Sequence, residues 1–173
     1  MTWEQCKLGE VLTERNIKAP QSEEYPLMAF VANKGVTEKG ERYDRSFLVT
    51  DNNNKKYKQT EYGDYIYSSN NLETGSVGLN LYGKAVISPV YSIFSINNNC
   101  DFHFMGELLT RKQFIKSLLK WRQGVVYGQW RIHEKDFLKA IVAIPSLQEQ
   151  QQIGEFFQKQ DQLITFQQRL LKN

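Results

Sequence analysis

Ile144-Pro145-Ser146-Leu147-Gln148-Glu149-Gln150-Gln151-Gln152-Ile153 is the stretch on which the reading of this chain turns. Serine followed three residues later by glutamate is a capping box, in which each side chain satisfies a backbone N–H left unpaired at the start of a helix. Pro145 stands just before it, where a proline does no harm to the helix that follows. Downstream, Phe156, Leu163 and Leu170 recur every seven residues, as do Phe157, Ile164 and Leu171, while Ile153, Gln160 and Gln167 form a third row. That spacing predicts a single helix over 146–173, a rod of about 40 Å at 1.5 Å per residue. Its outer face is rich in glutamine, so the apolar rows call for a partner helix rather than burial all round. Gln160 and Gln167 then serve as polar layers that restrict register at a cost in stability.

Upstream of this boundary the pattern is different. Runs rich in β-branched and aromatic residues at 27–31, 47–50, 65–68, 77–82 and 85–96 read as strands. Gly83-Lys84 offers a two-residue hairpin turn between 79–82 and 85–88. Leu8, Val11 and Leu12 suggest a short helix or turn near the beginning. From Met105 to Trp121, Leu108, Leu109, Ile115, Leu118 and Leu119 fall at helical spacing with Arg111, Lys112, Lys116 and Lys120 between them, which predicts one amphipathic helix with a basic face. The segment Gly124 to Arg131 reads as a glycine-flexed loop or short strand. The expected fold is therefore α+β: a mixed, strand-rich globular domain over 1–144, followed over 145–173 by a long C-terminal helix.

Composition narrows the class. The chain has 173 residues, 40% hydrophobic and 24% charged, within the ordinary range of a folded domain. No apolar run approaches the roughly 20 residues that span a bilayer. The first residues lack the basic cluster and apolar stretch of a secretory signal, so a cytoplasmic location is expected. Two separated cysteines, Cys6 and Cys100, and two histidines, His103 and His133, assemble no recognisable metal motif. No P-loop, nucleophile elbow, glycine-rich cofactor loop or Asn/Asp-Pro-Pro-aromatic acceptor loop is present. The formal charge is only +3, but cations cluster at 111–139 and 34–58. Such clusters suit a polyanion through counterion release, against the competing reading of a solvent-facing lysine-rich surface.

The boundary stretch, continued by Phe156, Asp161 and Ile164, resembles the proline-then-Glu-Gln opening of the long helix in specificity subunits of type I restriction-modification systems. Similar fragments lie upstream in the same order. They are Trp3-Glu4 with Lys7-Leu8-Gly9-Glu10, Gly63-Asp64-Tyr65-Ile66, Val86-Ile87-Ser88-Pro89-Val90-Tyr91, and Gly128-Gln129 with Ile132, Phe137 and Ile141. The resemblance implies a target-recognition domain for one half of a split DNA site, with a helix that pairs in an antiparallel coiled coil. It implies that the chain catalyses nothing. Methyltransferase subunits carrying S-adenosylmethionine would modify adenines, a motor subunit using ATP and Mg would cleave, and this chain would hold no cofactor. Expected partners are double-stranded DNA, the methyltransferase subunits and, through them, the motor subunit, together with a second copy or a second recognition half. The competing reading is the recognition region of a single-chain restriction-modification enzyme whose catalytic part lies elsewhere.

Residue chemistry selects the candidates for DNA contact. Arginine reads guanine and asparagine or glutamine reads adenine, which points to Arg122, Gln123, Gln129, Arg131, Asn70 and Asn71. Lys34, Arg42, Arg45, Lys112 and Lys116 suit phosphates, which position without specifying. Tyr127 and Trp130 are candidates for packing on sugar or base, or equally for the core. The helix seam comprises Ile153, Phe156, Phe157, Gln160, Leu163, Ile164, Gln167, Leu170 and Leu171.

Overall fold

The computed structural model describes residues 2–32, 34–39, 55–69, 72, 76–121, 123–126 and 129–171. The expected strand at 47–50 lies outside them, as do Arg42, Arg45, Asn70, Asn71, Arg122 and Tyr127. Strand β1 (Glu4–Lys7) leads directly into helix α1 (Leu8–Val11) and strand β2 (Leu12–Glu14). There follow β3 (Lys18–Ala19), β4 (Ala29–Val31), β5 (Gly35–Thr37), β6 (Tyr57–Thr60), β7 (Tyr65–Ser68), β8 (Val77–Leu79), β9 (Ala85–Ile87) and β10 (Tyr91–Ile96). Helices α2 (Phe102–Thr110) and α3 (Lys112–Ser117) precede β11 (Gln123–Val126), β12 (Gln129–Arg131), α4 (Glu134–Phe137), β13 (Ile141–Ile144) and α5 (Leu147–Leu170). The architecture is mixed α+β, strand-rich, with a long C-terminal helix.

The central sheet runs β2-β10-β7-β8 and a three-stranded sheet runs β3-β6-β9. Tyr65-Ile66-Tyr67-Ser68 is buried along its whole length because core lies on both faces of β7. On one face Tyr65 stacks on Phe137 at 5.7 Å and Tyr67 on Phe94 at 5.9 Å. Ile66 turns to the other cluster with Met28, Phe30, Ile87 and Ile93. The two buried tyrosine hydroxyls do not go unpaired: Tyr65 donates to the Leu109 carbonyl at 3.1 Å and Tyr67 to that of Ile132 at 3.2 Å.

Two expectations need correction. Residues 79–88 do not form a hairpin, because β8 pairs with β7 while β9 pairs with β6 in the other sheet. The glycine is where the turn chemistry requires it, with Gly83 at φ 130°. However, Asn80 accepts from the backbone N–H groups of Tyr82 and Gly83, and its amide donates to the Gly83 carbonyl and to Thr60. That side chain reroutes the strand into a second sheet instead of folding it back. The helix expected over 105–121 is broken: α2 and α3 are divided at Arg111, whose backbone is extended, and Leu118–Trp121 ends the segment as a 3-10 helix. The Thr110 hydroxyl donates to the carbonyls of Gly106 and Glu107, taking up acceptors at the end of α2. The break lets Leu109 and the Phe114/Ile115 pair both reach the core, which one straight helix would direct apart.

The two ends of the domain meet. Strand β1 pairs antiparallel with β13, and α1 is tied down by Leu8 N–H to the Ala140 carbonyl and Gly9 N–H to that of Leu138, both at 2.9 Å. Pairing at such sequence separation leaves no local signal, and β1 with its mixed Glu-Gln-Cys-Lys composition was not foreseeable from pattern alone.

Candidate functional site

Strands β11 and β12 form a hairpin with an irregularity between Gln123 and Val125, at Gly124. Gln123 therefore faces Arg131 at the base of the hairpin, while Gln129 pairs with Val126 at its other end. The foot is fixed on both sides: the Ile132 N–H donates to the Ser69 carbonyl at 3.2 Å, its carbonyl accepts from Tyr67, and its side chain is in the core.

Arg131 is exposed and stands in a charged cluster that sequence reasoning missed. Lys58 is buried on β6, where its ammonium donates to the Tyr91 carbonyl at 2.9 Å. Burial pulls the Lys58 pKa down, with Glu134 and Glu14 opposing and the like charges of Lys18 and Arg131 adding to the fall. Glu134, at the start of α4, accepts from the Ser92 hydroxyl at 2.6 Å. Burial alone pushes the Glu134 carboxyl up, but Ser92, its own backbone N–H and the charges of Lys58 and Arg131 outweigh it and hold the group below 4.5. The Tyr67 hydroxyl is driven up by burial and by the nearby Glu134 charge. A lysine inside a strand gave no hint of this, because the alternation of Tyr57-Lys58-Gln59-Thr60 is broken by burial of three of the four.

Lys112 and Lys116 are exposed one turn apart on α3, so they share a face. Lys34 is exposed in the turn joining β4 and β5, its N–H donating to the Val31 carbonyl. Lys34, between β4 and β5, and the lysines of α3 belong to separate elements. Arg131 is thus part of the hairpin, at its base, and Lys112 and Lys116 stay together on α3.

The Gly63-Asp64 segment proves to be a structural hub. Asp64 is buried and accepts from Arg15 Nε at 2.8 Å, the Glu61 N–H at 2.7 Å and the Thr60 hydroxyl at 3.1 Å. Burial pushes its carboxyl up, while the Glu61 N–H, Arg15 and Thr60 pull it back. Gly63 has φ 86°, which only glycine adopts without strain.

Helix α5 leaves the domain from a built junction. Ser146 caps it, accepting from the Glu149 N–H. Gln150, only 1% exposed, accepts from the Asp101 N–H at 3.0 Å and donates to the Pro145 carbonyl at 2.9 Å. One turn on, Gly154 abuts the N-terminus of α2: a Cβ there would lie 2.5 Å from the Asp101 carboxylate and 3.2 Å from the Phe104 nitrogen. Ile153 packs on the core, and the Gln158 amide meets the His103 ring. Phe157 is half-buried, but Phe156, Gln160, Leu163, Ile164, Gln167, Leu170 and Leu171 are all exposed. The domain therefore covers one flank of the first three turns and takes Ile153 and Phe157 out of the expected seam, leaving open only Phe156 and the stretch from Gln160 onward.

Among the described residues, no three of His, Cys, Asp and Glu gather as a metal site, and no helix is long and apolar enough to cross a membrane.

A family model described as "Type I restriction modification DNA specificity domain" matches residues 1–173. Among solved structures, the fold matches the HsdS subunit from Thermoanaerobacter tengcongensis with a TM-score of 0.66 and 17% identity, over 98% of this chain and 44% of that one. A chain from a structure addressing complex assembly and conformational transition of the type I R-M system gives 0.60 and 17%, over 98% and 40%. The type I restriction-modification S subunit from M. genitalium gives 0.52 and 16%, over 98% and 42%. The chain thus spans less than half the length of these relatives. A search of curated protein sequences finds no match.

Proposed function

Since the chain belongs to the type I restriction modification DNA specificity domain family, we propose that it reads one half of a two-part DNA site and directs partner subunits to it without catalysing a step itself. The family match over the whole length carries this reading, and the exposed seam of α5 beside a folded domain supports its division of labour. The hairpin of β11 and β12 offers Gln123, Gln129 and Arg131 to base edges, while Lys112 and Lys116 engage phosphates. Lys34, Arg42 and Arg45 add phosphate contacts, and Asn70, Asn71, Arg122 and Tyr127 complete the reading surface. Helix α5 pairs antiparallel with a second copy or a second recognition half, so that two domains sit at opposite ends of a spacer. Double-stranded DNA, methyltransferase subunits and, through them, a motor subunit are the partners. S-adenosylmethionine, ATP and Mg belong to those subunits, and the complex works in the cytoplasm.

The experiment is selection of duplexes from a random pool by the chain together with its modification subunits, followed by sequencing. Two short conserved blocks separated by a fixed gap are expected, and the chain alone with tritiated S-adenosylmethionine should leave DNA unlabelled. A single uninterrupted consensus, or label transferred by the chain alone, overturns the proposal.

A further inference from the structure

Tyr65 and Tyr67 lie two residues apart on β7 and both are fully buried, yet their hydroxyls hold different parts of the chain. Tyr65 donates to the carbonyl of Leu109 in α2, and Tyr67 to that of Ile132. Ile132 directly follows Arg131, the last residue of β12. Its N–H donates to the carbonyl of Ser69, one residue beyond the end of β7, and its side chain is buried in the core. Both backbone polar groups and the side chain of Ile132 are therefore engaged from the interior.

The Tyr67 ring has little freedom to follow a moving partner. It stacks on Phe94 with 10° between the planes and tilts against Phe137 at 4.8 Å. Burial pushes its pKa up, so the hydroxyl keeps its proton and stays a donor. Ser92 of β10 is its cross-strand partner, with the two hydroxyls side by side. The Ser92 hydroxyl in turn donates to Glu134, the first residue of α4. Two neighbouring side chains of the central sheet thus fasten the chain at 132 and at 134, immediately after Arg131. Gln129, at the hairpin's other end, stands opposite Val126 and away from this mount.

An arginine reads guanine through two parallel hydrogen bonds, a geometry that works only when held within about 0.5 Å and 10–20°. We propose that Tyr67 is a positioning residue for base reading: its hydroxyl, on the Ile132 carbonyl, fixes the backbone from which Arg131 addresses its base pair. This rests on the base-reading role given to Arg131 above. Because Tyr67 is itself fully buried, its effect on DNA passes through the segment it holds.

The test uses the complex of this chain with its modification subunits and duplexes carrying each base change at each position of the selected site, with relative affinities measured by competition. Arg131→Ala identifies the base pair that Arg131 reads, as the position where preference falls by about 5- to 150-fold. Tyr67→Phe keeps the ring and removes the hydroxyl. It is expected to lower preference at that same base pair by about threefold or more and to leave the other positions at parental values. Tyr65→Phe removes an equally buried hydroxyl whose partner is α2, and should keep the parental preference throughout. In the Arg131→Ala background, Tyr67→Phe should bring no further change at that base pair. An unchanged preference in Tyr67→Phe, an equal loss in Tyr65→Phe, or a loss that persists in the Arg131→Ala background overturns the inference, since a merely structural role gives these results. Where circular dichroism shows that Tyr67→Phe does not fold, Ile132→Val, which trims the same mount by one methyl group, decides by the same criteria. Parental preference at every position in Arg131→Ala instead removes the base-reading role of Arg131 and this inference with it, a result visible before any tyrosine is changed.

Discussion

Gln150 shows how a residue that composition places on a helix surface becomes interior once the neighbouring helix is known. In sequence it is one of four glutamines among Gln148 to Gln152, and no periodicity singles it out. Burying it is tolerable because both polar ends are satisfied, and removing it strands the Asp101 N–H and the Pro145 carbonyl. Gln150→Leu should cost about 1–3 kcal/mol in denaturant unfolding, whereas Gln151→Leu should change little. Equal midpoints for the two variants would contradict the assignment. Glu134 supplies a second test at this scale. Its folded carboxyl lies below the ordinary 4.5, so its contribution to stability is full above that value and is lost as pH falls through the lower folded one. Asp64 and Glu107 are shifted upward and act in the opposite sense, so the useful quantity is a difference between proteins. Ser92→Ala removes the hydrogen bond that holds Glu134 down. The stability gap between parent and variant should be larger at pH 7 than at pH 3, measured by urea unfolding. A gap independent of pH would show that Ser92 does not act through Glu134.

At the scale of elements, what was legible followed from how local each signal is. The start of α5 was readable because its cap and heptads lie within a few residues of each other, and β7 because four consecutive apolar or small residues are buried on both faces. The break at Arg111 was not, because it depends on which core Leu109 and Phe114 must reach. The supposed hairpin at Gly83 failed for a similar reason: the turn chemistry is there, but β8 takes β7 and β9 takes the more distant β6 as partner. Of the candidate site, Lys112 and Lys116 were legible from helical spacing. The cluster of Lys58, Ser92, Glu134 and Arg131 was not, since it joins four separate elements. The open seam of α5 invites a direct test. Leu163 and Ile164 are 55% and 50% exposed in the single chain, so replacing both by glutamate should leave the domain folded. In a pair of helices the same charges enter a desolvated seam at a cost of several kcal/mol. Light scattering should show the parent at twice the chain mass and the variant at once, with unchanged circular dichroism. Identical masses would remove the pairing role from α5.

For the whole molecule, the proposed function asks how a chain with a net charge of only +3 would hold a polyanion. Part of the answer is local: Asp64 and Glu134 are drawn into internal pairs, although Glu4, Glu10, Glu14, Glu23, Glu24, Glu38, Glu155 and Asp161 are exposed. Asp64 and Glu61 are occupied by Arg15, and Glu134 lies against Ser92, Lys58 and Arg131. Lys112, Lys116 and Lys34 stay exposed. Attraction to duplex DNA should therefore be local and sequence-independent, and it should weaken steeply with salt, because each neutralised phosphate contributes about −0.9 to the slope of log K against log salt concentration. Replacing Lys112 and Lys116 together by alanine should make that slope shallower by about 2 and weaken binding to all sequences alike. Arg131→Ala should behave differently, relaxing discrimination at one position by roughly 1–3 kcal/mol. Fluorescence anisotropy on matched and mismatched duplexes across a salt series separates the two effects. If the α3 lysine variant keeps the parental slope, α3 does not face the phosphates, and the DNA path must run over another side of the domain. A parental slope with altered sequence preference would instead move Lys112 and Lys116 into the group that reads bases.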